Sequence, residues 1–410
     1  MAMAKTVALL GALDTKGMEY AYVRDYIVSK GYNVLLIDVG VLEAPYLEPD
    51  ITREAVAKAA GAELSELAEK KDRGEAIEAM SRGVRKLLGE LYAAGRFQAV
   101  LALGGTGGTS VACAGMRELP VGVPKVMVST VAGTDVSAYV GTKDITMIPS
   151  IVDVSGINRI SREIFLRAAG AVCGMLEADP PKGADKPIIA ASMFGNTTVA
   201  VEAAKKTLEQ AGFEVIVFHC TGQGGKTMEA LIESGLVAGV LDMTTTEWAD
   251  ELVGGVFSAG PRRLEAAARG AVPAIVVPGC LDMVNFGAPE TVPGRFADRT
   301  LYRHNPNVTL MRTNIEENRE LGRRIAEKLN MSRGRVTVLL PKQGLSVISA
   351  DGGAFYWPEA DQALFDSLTE SLRPDIEVIE RDCPINDLAF AELCARTLLN
   401  HLTEKGANHP

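Results

Sequence analysis

Histidine is scarce in this chain. There are four among 410 residues, and His401 and His409 lie near the C-terminus, which leaves His219 and His304 within the body. The six cysteines, Cys113, Cys173, Cys220, Cys280, Cys383 and Cys394, form no CxxC pair and join no histidine cluster. That excludes the usual zinc spacings. It leaves reduced thiols of the kind expected in the cytoplasm. Basic charge is not in excess: the formal net charge is −10, and the only dense basic stretches are Arg323–Arg324 and Arg333/Arg335. Phosphate-backbone binding needs clustered Lys and Arg, so no nucleic-acid partner is expected. No apolar run reaches membrane-span length, and the chain enters a strand at Thr6–Leu10 without a signal-type apolar region, so no membrane partner is expected either. Aromatics make up only 5% while apolar residues reach 47%. Small-residue-rich, ample apolar content suits helices packed closely on parallel sheets better than a sandwich. Three familiar templates are also missing: GxxxxGK[ST], GxGxxG and GxSxG.

What is present is alternation. Thr6–Leu10, Val34–Val39, Ala99–Leu103 and Lys125–Ser129 read as strands, with Ile145–Ile148 as a further one. Met18–Lys30, Arg53–Ala60, Glu75–Ala94 and Asn158–Leu176 read as helices. Strands alternating with helices call for βαβ units and a mainly parallel sheet. The stretch ADPPKGADKP at Ala178–Pro187 is the best domain boundary, with three prolines, a glycine and four charges. It divides the chain into a domain over residues 1–180 and a second over 185–410. The second half restarts the pattern: the segment from Val7 and the segment from Ile188 share strand, polar loop, helix and a Gly-aromatic turn (Gly31–Tyr32, Gly212–Phe213) without a gap. Lys125–Asp135 then pairs with Ala274–Asp282, and Ile145–Ile164 with Thr309–Ile325. The expectation is an α/β protein of two Rossmann-like domains with mainly parallel sheets, related by duplication.

The most telling motif is LALGGTGGTS, Leu101–Ser110. An apolar run feeds into Gly104, Gly105, Thr106, Gly107, Gly108, Thr109 and Ser110, the order of a strand, a glycine loop and a helix start. Glycine lets backbone approach a ligand, and first-turn N–H groups can bind phosphate oxygens; a plain tight turn is the alternative. A second loop, GALDTKG at Gly11–Gly17, follows the first strand. Asp14 and Thr15 can cap the next helix, and Lys16 can reach a phosphate as a point charge. A third, STVAGTD at Ser129–Asp135, offers Thr130 and Asp135 to a ligand or divalent ion. Asp38, closing the second strand, can accept a ribose hydroxyl or bond local backbone.

In the second half the polar strand ends are MFGNTT (Met193–Thr198), HCTGQGG (His219–Gly225), DMTTTE (Asp242–Glu247), PGCLD (Pro278–Asp282) and PKQG (Pro341–Gly344). Such loops at one sheet edge suggest a second small-molecule pocket. Asn196, Thr197, Thr198, Gly222, Gly224 and Gly225 are candidates to hold an anion. His219, Asp242, Glu247, Asp250 and Asp282 are candidate acids or bases, with Cys280 as a possible nucleophile. For each alone a structural role is the commoner outcome.

Together, VALLGALDTKG, the GGTGGT loop, VSTVAGTD with DVSGINRI, MFGNTT, CTGQGG and PGCLDMVNFG resemble one widespread family. Its plant member is a tobamovirus-resistance protein that inhibits viral RNA replication. The resemblance spans Thr6 to about Leu399 and implies the following. The plant relative's N-terminal region binds ATP with Mg2+ and self-associates, so this chain is expected to be a homodimer. Nucleotide contacts fall on Asp14, Thr15 and Lys16 and on Gly104–Ser110. The plant protein's C-terminal TIM barrel is absent here, and its viral partner is not carried over.

Three readings follow: a cytoplasmic Mg-ATP-binding protein with one nucleotide in the first domain; an ATP-dependent or hydrolytic enzyme acting on a small organic acid between the domains; or a regulatory protein that ATP only stabilises. The base preference rests on the resemblance alone.

Overall fold

The computed structural model describes residues 4–178 and 185–407. Most of the proline-rich boundary stretch, residues 179–184, lies outside the described residues. The chain divides into two compact units, Met1–Lys182 and Gly183–Pro410.

The first unit holds β1 (Thr6–Gly11), β2 (Asn33–Asp38), β3 (Ala99–Gly104), β4 (Lys125–Ser129) and β5 (Thr146–Pro149) in the order β2-β1-β3-β4-β5, all parallel. A central parallel strand is covered on both faces, which is why β3 reads AVLALG without alternation and is buried throughout. Alternate residues still divide between the layers. Val7, Leu9, Leu101 and Val126 pack under the Leu13–Ser29 and Ser161–Glu177 helices. Ala8, Leu10, Val100 and Met127 pack under the Arg73–Ala93 and Thr106–Met116 helices. Full burial of each large aliphatic contributes about 1.5–3 kcal/mol.

The second unit holds β6 (Ile188–Met193), β7 (Glu214–His219), β8 (Val237–Thr244), β9 (Ala274–Gly279), then β10 (Met283–Phe286), β11 (Leu301–Asn305) and β12 (Val308–Arg312), then β13 (Val336–Pro341) and β14 (Glu377–Arg381). Its main sheet runs β14-β13-β9-β8-β6-β7. Counted within the unit this is 2-1-3-4-5, as in the first, with one strand added. β10, β12 and β11 form a separate antiparallel sheet.

The shared order agrees with the internal repeat, and Lys125–Asp135 and Ala274–Asp282 do hold the fourth strand of each unit. The pairing of Ile145–Ile164 with Thr309–Ile325 is corrected. Thr309 lies in β12 of the antiparallel sheet, and the counterpart of β5 is β13. Both candidate strands are short and partly apolar, so local pattern could not separate them. A single turn begins at Leu13, and a kink at Lys16 (φ −129°) separates it from the helix that runs on to Ser29, one residue from the expected start at Met18; a Cβ on Gly17 would sit 2.2 Å from Tyr46 Cβ.

Candidate functional site: two switch points

In the 2-1-3-4-5 order the chain leaves β1 in one direction and returns to β3 in the other, opening a crevice at their C-terminal ends, where sheets of this kind bind ligands. β1 and β3 are paired from Val7↔Ala99 to Leu10↔Ala102, so GALDTKG and GGTGGTS leave the sheet side by side. Tyr20 joins the two strands below the crevice. Its hydroxyl donates to Leu10 O at 2.6 Å and accepts from Leu103 N–H at 2.8 Å. Gly11 has to be glycine to let that ring pass, since a Cβ would lie 2.0 Å from the Tyr20 hydroxyl.

The glycine loop is a helix N-terminus. Gly105 is the N-cap of Thr106–Met116 and offers no side chain to cap it. The first N–H groups of any helix lack partners within it. Among the described residues no hydrogen bond takes those of Thr106, Gly107 or Gly108. Thr106 and Gly108 are exposed, and Gly105 and Gly107 half-buried. Thr109 is buried and braces the loop from below: its hydroxyl meets Ser129 Oγ at 2.7 Å. Ser110 donates back to Thr106 O at 3.1 Å. Thr130 Oγ1 lies 3.8 Å from the place a Gly105 Cβ would take. Asp135 is at some remove in role, since it caps the amide of Ser137.

Across the crevice Thr15 is exposed and Lys16 half-buried, its ammonium donating to Val154 O. The expected capping by Asp14 and Thr15 is corrected. Both lie in the turn before the Lys16 kink without a side-chain cap bond, and Asp38 reaches over from β2 to accept from Leu13 N–H at 3.0 Å. Asp14 instead accepts from Leu42 N–H at 3.0 Å. Burial raises the Asp38 carboxyl above the usual range, and the charge of Asp14 adds to that. One residue was missed by sequence reasoning: Arg73, exposed at the start of its helix, brings its guanidinium 3.5 Å from the Gly107 Cβ position. No local motif marks it; only the fold brings it to the loop.

The second switch point, between β6 and β8, is built oppositely. Thr244, Thr245, Thr246 and Glu247 stand where the first unit has its glycines, and all are buried. Thr244 Oγ1 meets Thr197 Oγ1 at 2.7 Å. Glu247 Oε1 accepts from Gly222 N–H at 2.8 Å and Gly225 N–H at 3.0 Å, at the start of the Gln223–Glu233 helix. An anion arriving there has to displace this carboxylate. Glu247 Oε2 accepts from Arg263 Nε at 2.8 Å, and Arg263 also grips Asp242 at 2.6 and 2.7 Å and Glu229 at 3.1 Å. Arg263, buried with three carboxylates, was also unmarked in sequence. The glycines are packing glycines: a Cβ on Gly225 would lie 2.0 Å from Glu247, and one on Gly224 1.8 Å from His219 O.

The other candidates scatter. His219 is exposed and stacked on Phe194, with ring centroids 5.4 Å apart. His304 is exposed on β11. Asn196 is held by Asn386, which donates to its carbonyl, and Thr198 donates to Gly195 O. Asp250 receives N–H groups from Asn285 and Phe257, and burial raises its carboxyl to about 7. Asp282 accepts from Ser346 Oγ at 2.7 Å. Cys280 is fully buried, which pushes its thiol well above the normal range, away from nucleophilic use.

Residues 5–181 match the N-terminal domain of the uncharacterised protein family UPF0261, and residues 186–402 match its C-terminal domain. The chain belongs to UPF0261. A UPF0261 protein of Clostridium tetani is 50% identical over 401 residues, covering 97% of this chain and 99% of its own. Another, RA0729 of Rhizobium meliloti, is 45% identical over 390 residues, 95% of this chain and 97% of its own. The ToMV resistance protein Tm-1(GCR237) of Solanum lycopersicum is 40% identical over 335 residues, 80% of this chain and 44% of the tomato protein.

In this UPF0261 protein the first unit presents donors and acceptors of two kinds at its switch point. Free helix amides and Arg73 suit phosphate oxygens, and hard oxygen donors suit Mg2+. No group of three or more His, Cys, Asp or Glu among the described residues forms a metal cluster. No helix among them is long and apolar enough to cross a membrane.

Proposed function

We propose that the first unit binds Mg-ATP, with the phosphates at the Gly104–Ser110 helix start and the Asp14–Lys16 loop facing them. The observation that carries this is the glycine-built N-terminus of the Thr106–Met116 helix, open at the crevice between β1 and β3. An uncapped N-terminus of this kind favours a phosphate through its amides and its dipole. Lys16 reaches the phosphates by leaving Val154 O, and Arg73 approaches from the Gly107 side. The choice of adenine rests on the family resemblance. One nucleotide per chain is expected, because the second unit has the buried threonines Thr244, Thr245 and Thr246 where the first has its glycines. The same resemblance supports a homodimer, and six free cysteines support a cytoplasmic setting.

Calorimetry with Mg-ATP tests this directly. Lys16→Ala is expected to weaken binding about tenfold, the loss of one charged phosphate contact of roughly 1.4 kcal/mol. No heat of binding at millimolar Mg-ATP would overturn the reading. Release of ADP over time separates an enzyme from a nucleotide-stabilised regulator, and light scattering with and without ATP reads the dimer.

A further inference from the structure

Two carboxylates beside the first switch point each leave one oxygen without a donor. Asp38 is fully buried; its Oδ1 takes Leu13 N–H at 3.0 Å and Gly40 N–H at 2.8 Å, while Oδ2 has no partner. Asp14 divides itself the same way: Oδ2 takes Leu42 N–H, while Oδ1, shielded from solvent, has none. Gly40 sets the two groups side by side. Its N–H is bonded to Asp38, and a Cβ on it would lie 2.5 Å from the Asp14 carboxyl carbon. Asp38 feels the negative charge of Asp14, yet no hydrogen bond joins them. Neither nearby cation hydrogen-bonds the pair: Lys16 donates to Val154 O, and Arg53, whose charge reaches Asp38, donates to Glu43 O and pairs with Glu54. Buried acceptors are almost always satisfied, and like charges side by side need a counter-charge.

We propose that Asp14 Oδ1 and Asp38 Oδ2 are two ligands of one hard divalent cation, Mg2+ or Mn2+, seated between the first strand's loop and the end of β2. Such ions take oxygen ligands and keep several waters, so the remaining positions go to water and to a nucleotide phosphate. The phosphate ligand rests on the Mg-ATP reading; the two carboxylate ligands do not.

The test is titration of the EDTA-stripped full chain with Mn2+ in the absence of nucleotide, followed by electron paramagnetic resonance of the free ion and by calorimetry. One Mn2+ per chain is expected, displaced by Mg2+, with affinity falling about tenfold or more in Asp14→Asn and in Asp38→Asn. Asparagine keeps an oxygen for the Leu13 and Gly40 amides, so both variants are expected to melt in EDTA at or above the wild-type temperature. Equal Mn2+ affinity in wild type and both variants overturns the seat, as does no Mn2+ binding with or without ATP. Absence of any metal response, with a stability that falls from pH 5 to 8 only while both carboxylates are present, identifies a shared proton instead and also overturns it. Mn2+ binding with no response to ATP keeps the seat and defeats the nucleotide reading. Equal ATP affinity in EDTA and in Mg2+, unchanged in both variants, does the reverse.

Discussion

The two units share a strand order and differ in what stands at the switch point. In the first, β3 ends in glycines and the helix that follows begins with amides no side chain takes. In the second, β8 ends at Thr244 and runs on through Thr245 and Thr246 to Glu247, whose carboxylate holds the amides of Gly222 and Gly225. Topology opens a crevice in both; side chains decide whether it stays open. Glu247 is an internal anion at the start of the helix that follows β7, and Arg263 balances Glu247, Asp242 and Glu229. The helix start at the first unit's glycine loop has no acidic residue in its first turn and no side-chain cap.

Breaking the second unit's internal balance is expected to have the largest effect. Arg263→Met leaves three carboxylates buried without their cation and is expected to cost about 3–5 kcal/mol. Both tryptophans, Trp248 and Trp357, lie in the second unit, so tryptophan fluorescence in urea reads that unit alone. Adding Glu247→Gln to Arg263→Met should recover part of the loss. An unchanged midpoint in Arg263→Met would mean the cluster is not what closes this switch point.

Matched glycine substitutions sharpen the contrast. Gly225→Ala drives a methyl into Glu247 and is expected to cost about 1–3 kcal/mol. The nearest neighbour of a Gly108 Cβ is Leu103 O at 3.9 Å, so Gly108→Ala should be neutral or stabilise by up to about 1 kcal/mol through helix propensity. It should nonetheless reduce Mg-ATP affinity, since the methyl stands on the open side of the helix start. Equal destabilisation of the two variants would remove the distinction between packing glycines and ligand glycines.

That distinction marks how far the sequence could be read. The alternation of apolar runs with helical stretches revealed both α/β units, because parallel strands buried on two faces must be apolar throughout, as Ala99–Leu103 is. GGTGGT and CTGQGG looked equivalent, since glycine serves equally to admit a ligand or to admit a neighbouring side chain. Only the partner shows which: Glu247 opens the helix that follows β8, at a sequence separation from Gly222 and Gly225 that no local pattern reports. Arg73 and Arg263 were passed over for the same reason; the bond of Asp38 to the local Gly40 amide was one of its two expected roles, but its reach to Leu13 was not. β10–β12 escaped because β10 and β12 are short and almost wholly buried and β11 is exposed throughout, so none alternates between two faces.

Asp250 makes the second unit more sensitive to pH. Burial raises its folded-state pKa to about 7 from an ordinary 3.8. The folded state therefore favours the neutral acid. Its contribution is complete below the unfolded pKa and is lost as pH rises through about 7. Asp361, also raised to about 7 by burial, acts in the same direction. The tryptophan-monitored urea midpoint should accordingly be lower at pH 8 than at pH 5, and Asp250→Asn should flatten that difference. A midpoint that rises over this range would show both carboxyls ionised and stabilising.

The smallest effect expected is that of Arg73. Its guanidinium is exposed, so solvent screens its pull on a phosphate, and Arg73→Ala should cost only about 0.2–1 kcal/mol in Mg-ATP affinity. The size matters less than its salt dependence. If Arg73 acts as a charge on the rim of the glycine loop, the difference between wild type and Arg73→Ala should shrink as ionic strength rises from about 0.01 M to 1 M, because the screening length falls from roughly 30 Å to 3 Å. A loss that persists at high salt would make Arg73 a direct, desolvated phosphate ligand. The first unit would then carry its own buried cation at the switch point, as the second does in Arg263, and the two would differ only in where the anion comes from.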